Sequence, residues 1–345
     1  MLKLLSHNYL KSIGIRIFKA CGASEQEAEI VASELVEASL LGLDSHGVMR
    51  YEQYVGEVLE KKILPNSPVK IIEESSSTVV VDCGFGFGQV SASKMTDIVA
   101  GKTLKNGVVC AVSRNCNHIG RLGSFTQKLA EKNLLAFAVA SGASHSQVAP
   151  WGGIEGRLAP NPLSYAAPRR EGLPVVMDMS TSMIAEGKVR ILMQQQKNVP
   201  DGCIQDAFGN ATTNPADFYG PPKGTILPFG SELGYKGFGL AIMVEIFGRL
   251  LAGVSIEEDG NYVNGLSMIA INPEKFCGVD SLLQLMDELE MFIKSAKLAN
   301  GNSEIYLPGD LDYATKKDRL ENGIPVADET WNSIERALTK VGIQI

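Results

Sequence analysis

"VVVDCGFGFGQV", residues 79–90, is an apolar strand running into three glycines at alternate positions, Gly84, Gly86 and Gly88. The reading of this junction decides the fold. A Rossmann phosphate turn places G-x-G-x-x-G between a strand and a helix, the third glycine allowing close helix–strand packing. Counting from Gly84, the third position is Gln89; counting from Gly86, it is Ser91. An acidic residue about 20 positions on should meet a ribose. The strand found there, "VVCAVS" at 108–113, has none. The surroundings suit the fingerprint, but the residues fail it twice. The stretch reads as a glycine-rich turn between a strand and a helix.

Upstream, Ser24 with Glu27 is a capping-box signature. It opens a helix with Ile30, Val31, Leu35, Ala38 and Leu41 at helical spacing. A second helix is expected from Ser45 through "HGVMRYEQYVGEVLEKK", and Pro65 and Pro68 then mark a break. "VKIIEE" and "STVVVD" read as strands. Downstream, "QVSASKMTDIVAGKTLKN" reads as a helix ending near Gly107. Buried strands at 108–113, 134–141 and 174–179 alternate with helices. A polar, Pro/Gly-rich stretch covers 198–233. "GLAIMVEIFGRLLAG", 239–253, is almost wholly apolar and is expected to be a buried helix. A strand at 266–272 and a mostly helical tail from 281 follow. This alternation predicts an α/β fold, a central, mostly buried sheet with helices on both faces. The expected organisation is a helical N-terminal segment, 1–70, packing with the helical tail 281–345, around an α/β core, 71–280.

The 345 residues carry a formal net charge of -7 with no basic run. That argues against nucleic acid or an anionic membrane as the main partner. In "MLKLLSHNYLKSIGIRIFKACG" polar residues interrupt the apolar ones, which suits an amphipathic helix rather than a signal peptide. No apolar run reaches the ~18 residues of a membrane span. Six cysteines are scattered without a C-x-x-C pair, pointing to reduced thiols in a cytoplasm and to no metal site. P-loop, H-E-x-x-H and G-x-S-x-G motifs are absent.

Candidate chemistry gathers around histidine. The four are His7, His46, His118 and His145. On a helix from Ser45, His46, Arg50 and Tyr54 would fall at i, i+4 and i+8 on one face. That stripe is either a clamp for a small carboxylate, with Arg50 gripping it by two hydrogen bonds, or a solvated face. His118 follows the strand 108–113, and His145 the strand 134–141. Both lie where open α/β sheets place ligands, and a satisfied loop histidine is the alternative for each. "VVMDMSTSMIAEGK" runs a strand through Asp178 into Ser180, Thr181 and Ser182 and then a helix, a possible phosphate site. Lys236, flanked by Gly234, Gly237 and Gly239, is a second candidate anion site; ordinary capping is the alternative for both.

These residues bring out a resemblance. "DSHGVMRYEQY", "NHIG", "APWGG", "APNPLSYAAP", "VMDMSTS", "GKV" and "GYKGFGL", in order from residue 44 to 240, resemble the malate/L-lactate dehydrogenase family that is distinct from the Rossmann lactate and malate dehydrogenases. The resemblance implies a non-Rossmann fold that binds NAD or NADP, and a homodimer. It implies that His118 is the proton donor and acceptor, that Ser45, His46, Arg50 and Tyr54 lie on the substrate side, and that Ser144, Asp178, Met179, Ser180 and Lys236 contact the cofactor, with Thr181 in the same segment. The implied reaction is hydride transfer between nicotinamide and C2 of a small 2-hydroxy or 2-oxo carboxylic acid. A cyclic imino acid reductase, a ureidoglycolate dehydrogenase and a nucleotide-binding protein without turnover are the alternatives. His145 departs from the family, whose members often carry Asp, Thr or Asn there. It would add a second imidazole near His118 without a fixed negative charge.

Overall fold

The computed structural model describes residues 2–142, 147–255 and 264–344. The first third of the chain forms β1 (Leu2–Leu5), α1 (His7–Ala20), α2 (Glu25–Leu40), α3 (Tyr51–Leu59), β2 (Lys70–Glu74), β3 (Thr78–Asp82) and α4 (Gly88–Asn106). Then come β4 (Val108–Arg114), α5 (Gly123–Ala130), β5 (Leu135–Ser141), β6 (Leu163–Ala167), β7 (Val175–Met179) and α6 (Glu186–Gln194). The stretch expected to be irregular holds β8 (Ile204–Gln205), β9 (Ala211–Thr212), α7 (Pro215–Tyr219) and β10 (Thr225–Ile226). The chain ends through α8 (Tyr235–Gly248), β11 (Gly265–Ile271), α9 (Val279–Lys294), α10 (Asp310–Asn322), β12 (Ile324–Ala327) and α11 (Asp328–Lys340).

Among the described residues the main sheet has seven strands in the order β2-β3-β4-β11-β5-β6-β7. Only β3 and β4 run parallel, joined through α4; the other neighbours are antiparallel. The fold is mixed α/β, as the alternation predicts. On one face, α4 and α5 pack over alternate strand residues such as Val81, Ala111, Met268 and Ala138. On the other face, Val244 of α8 meets Val139 and Leu163.

A helical layer stands beside the sheet. Leu10 and Phe18 of α1, Leu35 of α2, Tyr51 and Tyr54 of α3, and Ile334 of α11 share one core. Ser24 caps α2 by accepting from the Glu27 amide, as a capping box requires. The return arm goes elsewhere, because Glu27 accepts from the Asn66 amide at 2.7 Å and Asn66 accepts from the Ser24 amide.

Three expectations are corrected. Leu2–Leu5 is strand, not helix, because it pairs antiparallel with β12. No single helix runs from Ser45. Residues 44–46 and 48–50 form two short 3₁₀ turns, and α3 begins at Tyr51. They break at Gly47, whose α-carbon lies so close to Ser39 that a Cβ would fall 2.0 Å from its Oγ. Finally, α8 is not a buried helix. Gly237, Ala241, Val244, Glu245 and Gly248 face inward, while Leu240, Ile242, Met243 and Ile246 are exposed. Among the described residues only the stripe that meets the sheet is covered. No helix among the described residues is long and apolar enough to cross a membrane.

Candidate active site

The glycine stretch turns out to hold a loop of its own chain. Gly84 has φ +57°, and its amide donates to Asp82 Oδ1. Asn117, from the loop after β4, donates through Nδ2 to the carbonyls of Phe85 at 2.8 Å and Gly86 at 3.0 Å. The Phe85 amide donates to Asn115 O in return. Gly88 opens α4 directly beneath that loop. A Cβ there would lie 2.2 Å from His118 O and 2.4 Å from Asn117 O. Close approach of two backbones is the use of this glycine. Phe87, edge-to-face with Phe18 at 5.6 Å, ties the turn to the helical layer.

His118 therefore sits on a built platform beyond the carboxyl end of β4. Its Nδ1 lies 2.7 Å from Tyr54 Oη, and Gln89 Nε2 donates to the same Oη at 2.7 Å. The His46 ring stacks against the His118 ring, centroids 5.8 Å apart and planes within 15°. His46 Nδ1 is 3.0 Å from Ser45 Oγ. Arg50 donates through Nε to Ser45 O at 2.6 Å and through Nη1 to Gln53 Oε1. The predicted clamp residues are thus brought together with His118, although two separate turns and a helix carry them. Gly187, in the first turn of α6, closes one side of this cluster. A Cβ on it would fall 2.8 Å from Ser45 Cβ.

At residues 178–181 the strand period separates side chains that the sequence groups as one segment. Asp178 points to the α5 face, where Oδ2 accepts from the Gly123 amide at 2.7 Å and lies 3.8 Å from Arg121 Nε. Met179 points to the α8 face. Ser180 is partly exposed, and its hydroxyl donates to Ser182 O. Thr181 is buried, its amide and hydroxyl both donating to Pro160 O and the hydroxyl also lying within 3.1 Å of Asn161 O. It has no free donor for a phosphate, and α6 starts only at Glu186. The helix-terminus reading of 180–182 is corrected: the donors of Thr181 are spent on the chain itself and α6 begins only at Glu186. Lys236 is exposed in the first turn of α8. Phe229 joins these two stretches, its amide donating to Thr181 O and its carbonyl accepting from the Gly237 amide. Ser144 and His145 lie outside the described residues.

A family model described as malate/L-lactate dehydrogenase matches residues 5–335. The chain belongs to this family. It is 32% identical over 346 residues to hydroxycarboxylate dehydrogenase B of Escherichia coli, covering 98% of this chain and 93% of the relative. It is also 32% identical over 346 residues to L-sulfolactate dehydrogenase of Methanocaldococcus jannaschii, covering 97% and 96%. Among solved structures, malate dehydrogenase of Pyrococcus horikoshii superposes with a TM-score of 0.90 at 28% identity, covering 99% of this chain and 97% of that one. As a malate/L-lactate dehydrogenase family member, the chain is an oxidoreductase of the hydroxy-acid dehydrogenase class.

Electrostatics gives His46 and His118 a definite state. Burial, then Arg50, then Arg121 push the His46 imidazole down to about 4. Burial, then Arg50, then His46 hold His118 well below the ordinary range. Burial pushes the Tyr54 phenol up, so it stays a neutral hydroxyl. Both rings are neutral at neutral pH. In the unfolded chain each titrates near ~6.5. As pH falls from that value toward 4, the unfolded chain binds more protons than the folded one. Stability is fully present above ~6.5 and is lost in that window. A His46→Gln/His118→Gln variant should therefore show a flatter fall of denaturant midpoint from pH 6.5 to 4, by up to two protons of slope. A parent-like slope in urea titrations would refute this.

Two residues at the site escape sequence reasoning. Gln89 is the residue that spoils the glycine fingerprint. Arg121 is buried, donating through Nη1 to Gln127, while Nε and Nη2 have no hydrogen-bond partner. Its motif, "NHIGRLG", marks it only by adjacency to His118.

Proposed function

We propose that this chain is an NAD(P)-dependent dehydrogenase of small 2-hydroxy carboxylic acids, with His118 as proton donor and acceptor. The observation that carries the reading is the His118–Tyr54 pair at 2.7 Å, with Arg50 anchored through Ser45 O beside it. Nδ1 is held by Tyr54, so Nε2 remains for the substrate. In oxidation Nε2 takes the proton of the C2 hydroxyl, and a neutral buried ring suits that role. In reduction the ring must first gain a proton. A substrate carboxylate beside Arg50 offsets the cation that depresses His118 and so favours that uptake. Arg50 keeps Nη2 free of protein partners among the described contacts, which suits an end-on grip on a carboxylate. Ser45 and His46 flank it.

The residues near α8 suit a dinucleotide. Lys236 stands in the first turn of a 14-residue helix, and Gly239 faces open space. A cation beside helix-terminal amides favours a pyrophosphate. Met179 and Ser180 would border the same ligand, with Ser144 on the segment beyond β5, whereas Asp178, turned to the α5 face and held by the Gly123 amide, would support the strand end from behind. When bound, nicotinamide would supply or accept the hydride. The decisive experiment follows absorbance near 340 nm with NADH and NADPH against oxaloacetate, pyruvate and sulfopyruvate. One strongly preferred pair supports the reading; silence with every pair rejects it.

The same reading includes a homodimer, supported by the exposed apolar side of α8 and by Leu250 and Leu251 just after it. Replacing Met243 with Glu should shift the protein in sedimentation velocity from twice the chain mass to the chain mass, with the circular dichroism of the folded chain kept. A parent of single-chain mass would end this part of the proposal.

A further inference from the structure

Gln89 carries an unmet hydrogen-bond acceptor one residue removed from His118, through Tyr54. Its side chain is fully buried, Nε2 donates to Tyr54 Oη, and Oε1 has no partner among the described residues. Leaving such an acceptor buried and unpaired forfeits its full hydration without a compensating bond. A buried orphan of that kind beside a reacting group calls for an explanation.

The directions of the bonds supply one. With Gln89 Nε2 donating to Tyr54 Oη, the phenol has its own proton left for His118 Nδ1. The ring then carries its proton on Nε2. That form cannot take a proton from a substrate hydroxyl, because the nitrogen facing it is already occupied. The useful base has Nδ1–H and a bare Nε2. Nδ1–H must then donate to Tyr54 Oη, and the phenol proton must find another acceptor. Half a turn of the Gln89 carboxamide brings Oε1 onto Tyr54 Oη and supplies it.

We propose that Gln89 is a positioning residue for His118: with Oε1 turned to accept from Tyr54, Tyr54 accepts from His118 Nδ1 and leaves Nε2 bare for the substrate proton. It rests on His118 being the proton donor and acceptor. Gln89 gains and loses no proton. His118 takes one from the substrate at Nε2, breaking the substrate O–H bond, and later returns it to water. Throughout the protonated state Nδ1–H points at Tyr54 and the phenol proton at Gln89. A carboxamide can serve both directions, whereas an ionised Glu only accepts and Met donates nothing and accepts only weakly.

Other charges face the ring. His46 and Arg50 do so from the turns before α3, with Glu57 of α3 acting on Arg50. Arg121, on His118's own loop, acts through His46 and is paired with Asp178 of β7. Glu186 and Arg190 of α6 are felt at Arg50. All stay in place when Gln89 alone is changed, so a moved pH profile would report the relay.

The test compares Gln89→Met and Gln89→Glu with the parent in the pH dependence of kcat/KM for hydroxy-acid oxidation. His118→Asn runs in parallel. Met removes the acceptor that supports the protonated ring. Its acid limb should move to lower pH and kcat should fall about tenfold, with KM within a factor of about three. Glu supplies a fixed acceptor and a negative charge, and its acid limb should move up by about one pH unit. Shifts of opposite sign support the proposal. Limbs that coincide with the parent, or that move in the same direction, overturn it. If His118→Asn keeps the parent's turnover and acid limb, the role of His118 itself has failed, whatever Gln89 does.

Discussion

Replacing His118 with Asn should lower turnover by a factor of about 10²–10⁴ in both directions, the range that a positioned acid–base group supplies. Cofactor affinity, read from the quenching or enhancement of bound nicotinamide fluorescence, should change by less than about twofold. The reason lies in the geometry. Asparagine can still reach toward Tyr54 with one polar end, so the platform of Gly88 and Asn117 beneath the loop need not move. It has no nitrogen that gains a proton in the working pH range. His46 is the only other described imidazole close by, and it cannot take over. Its ring centroid is 5.8 Å from that of His118, its Nδ1 is occupied by Ser45, and burial with two cations holds it near 4. A His118→Asn enzyme within tenfold of the parent would move the proton-transfer role elsewhere.

How much of this was legible beforehand depends on sequence separation. The position of His118 was readable, because an apolar run, 108–113, precedes it and Asn115, Asn117 and Gly120 turn the chain after it. Its partner was not. Tyr54 is 64 positions away, and no local pattern says that α3 crosses the end of β4. The helical stripe grouped His46, Arg50 and Tyr54, which do lie together, but by another route, since Gly47 breaks the helix and tertiary packing restores their proximity. Strand order was hidden for the same reason: β11 enters between β4 and β5 from over a hundred residues downstream, and β6 lay inside a Pro-flanked stretch, "APNPLSYAAP".

The glycine stretch shows the limit most clearly. That "GFGFGQ" fails as a phosphate turn follows from spacing alone. That it holds the loop of a histidine, and that Gln89 completes a hydrogen-bonded chain to it, depends on contacts with residues 54 and 115–118. α8 makes the complementary point. An almost wholly apolar helix was read as core, yet only the stripe that meets the sheet is buried among the described residues. Hydrophobicity alone does not tell which side of a helix its own sheet covers.

Arg50 offers the second large effect, and two variants separate its two duties. Arg50→Lys should raise KM for carboxylate substrates and lower kcat/KM by about 10²-fold, while leaving cofactor affinity alone. The guanidinium is fixed by Nε on Ser45 O and Nη1 on Gln53, which aims its outer end. A lysine ammonium is a point charge on a flexible stem and cannot hold both anchors and a two-point grip. The charge nevertheless survives, so the acid limb of the oxidative pH profile should stay near the parent's. Arg50→Met removes the charge as well. Arg50 is the largest cause after burial that depresses both His46 and His118. Without it their proton affinity rises, and the acid limb should move to higher pH on top of the loss in kcat/KM. The sign is fixed: a removed cation makes an imidazole easier to protonate. A Lys variant that loses cofactor binding as much as substrate binding would place Arg50 on the other ligand, and a Met variant whose limb stays put would mean that Arg50 does not set the state of His118.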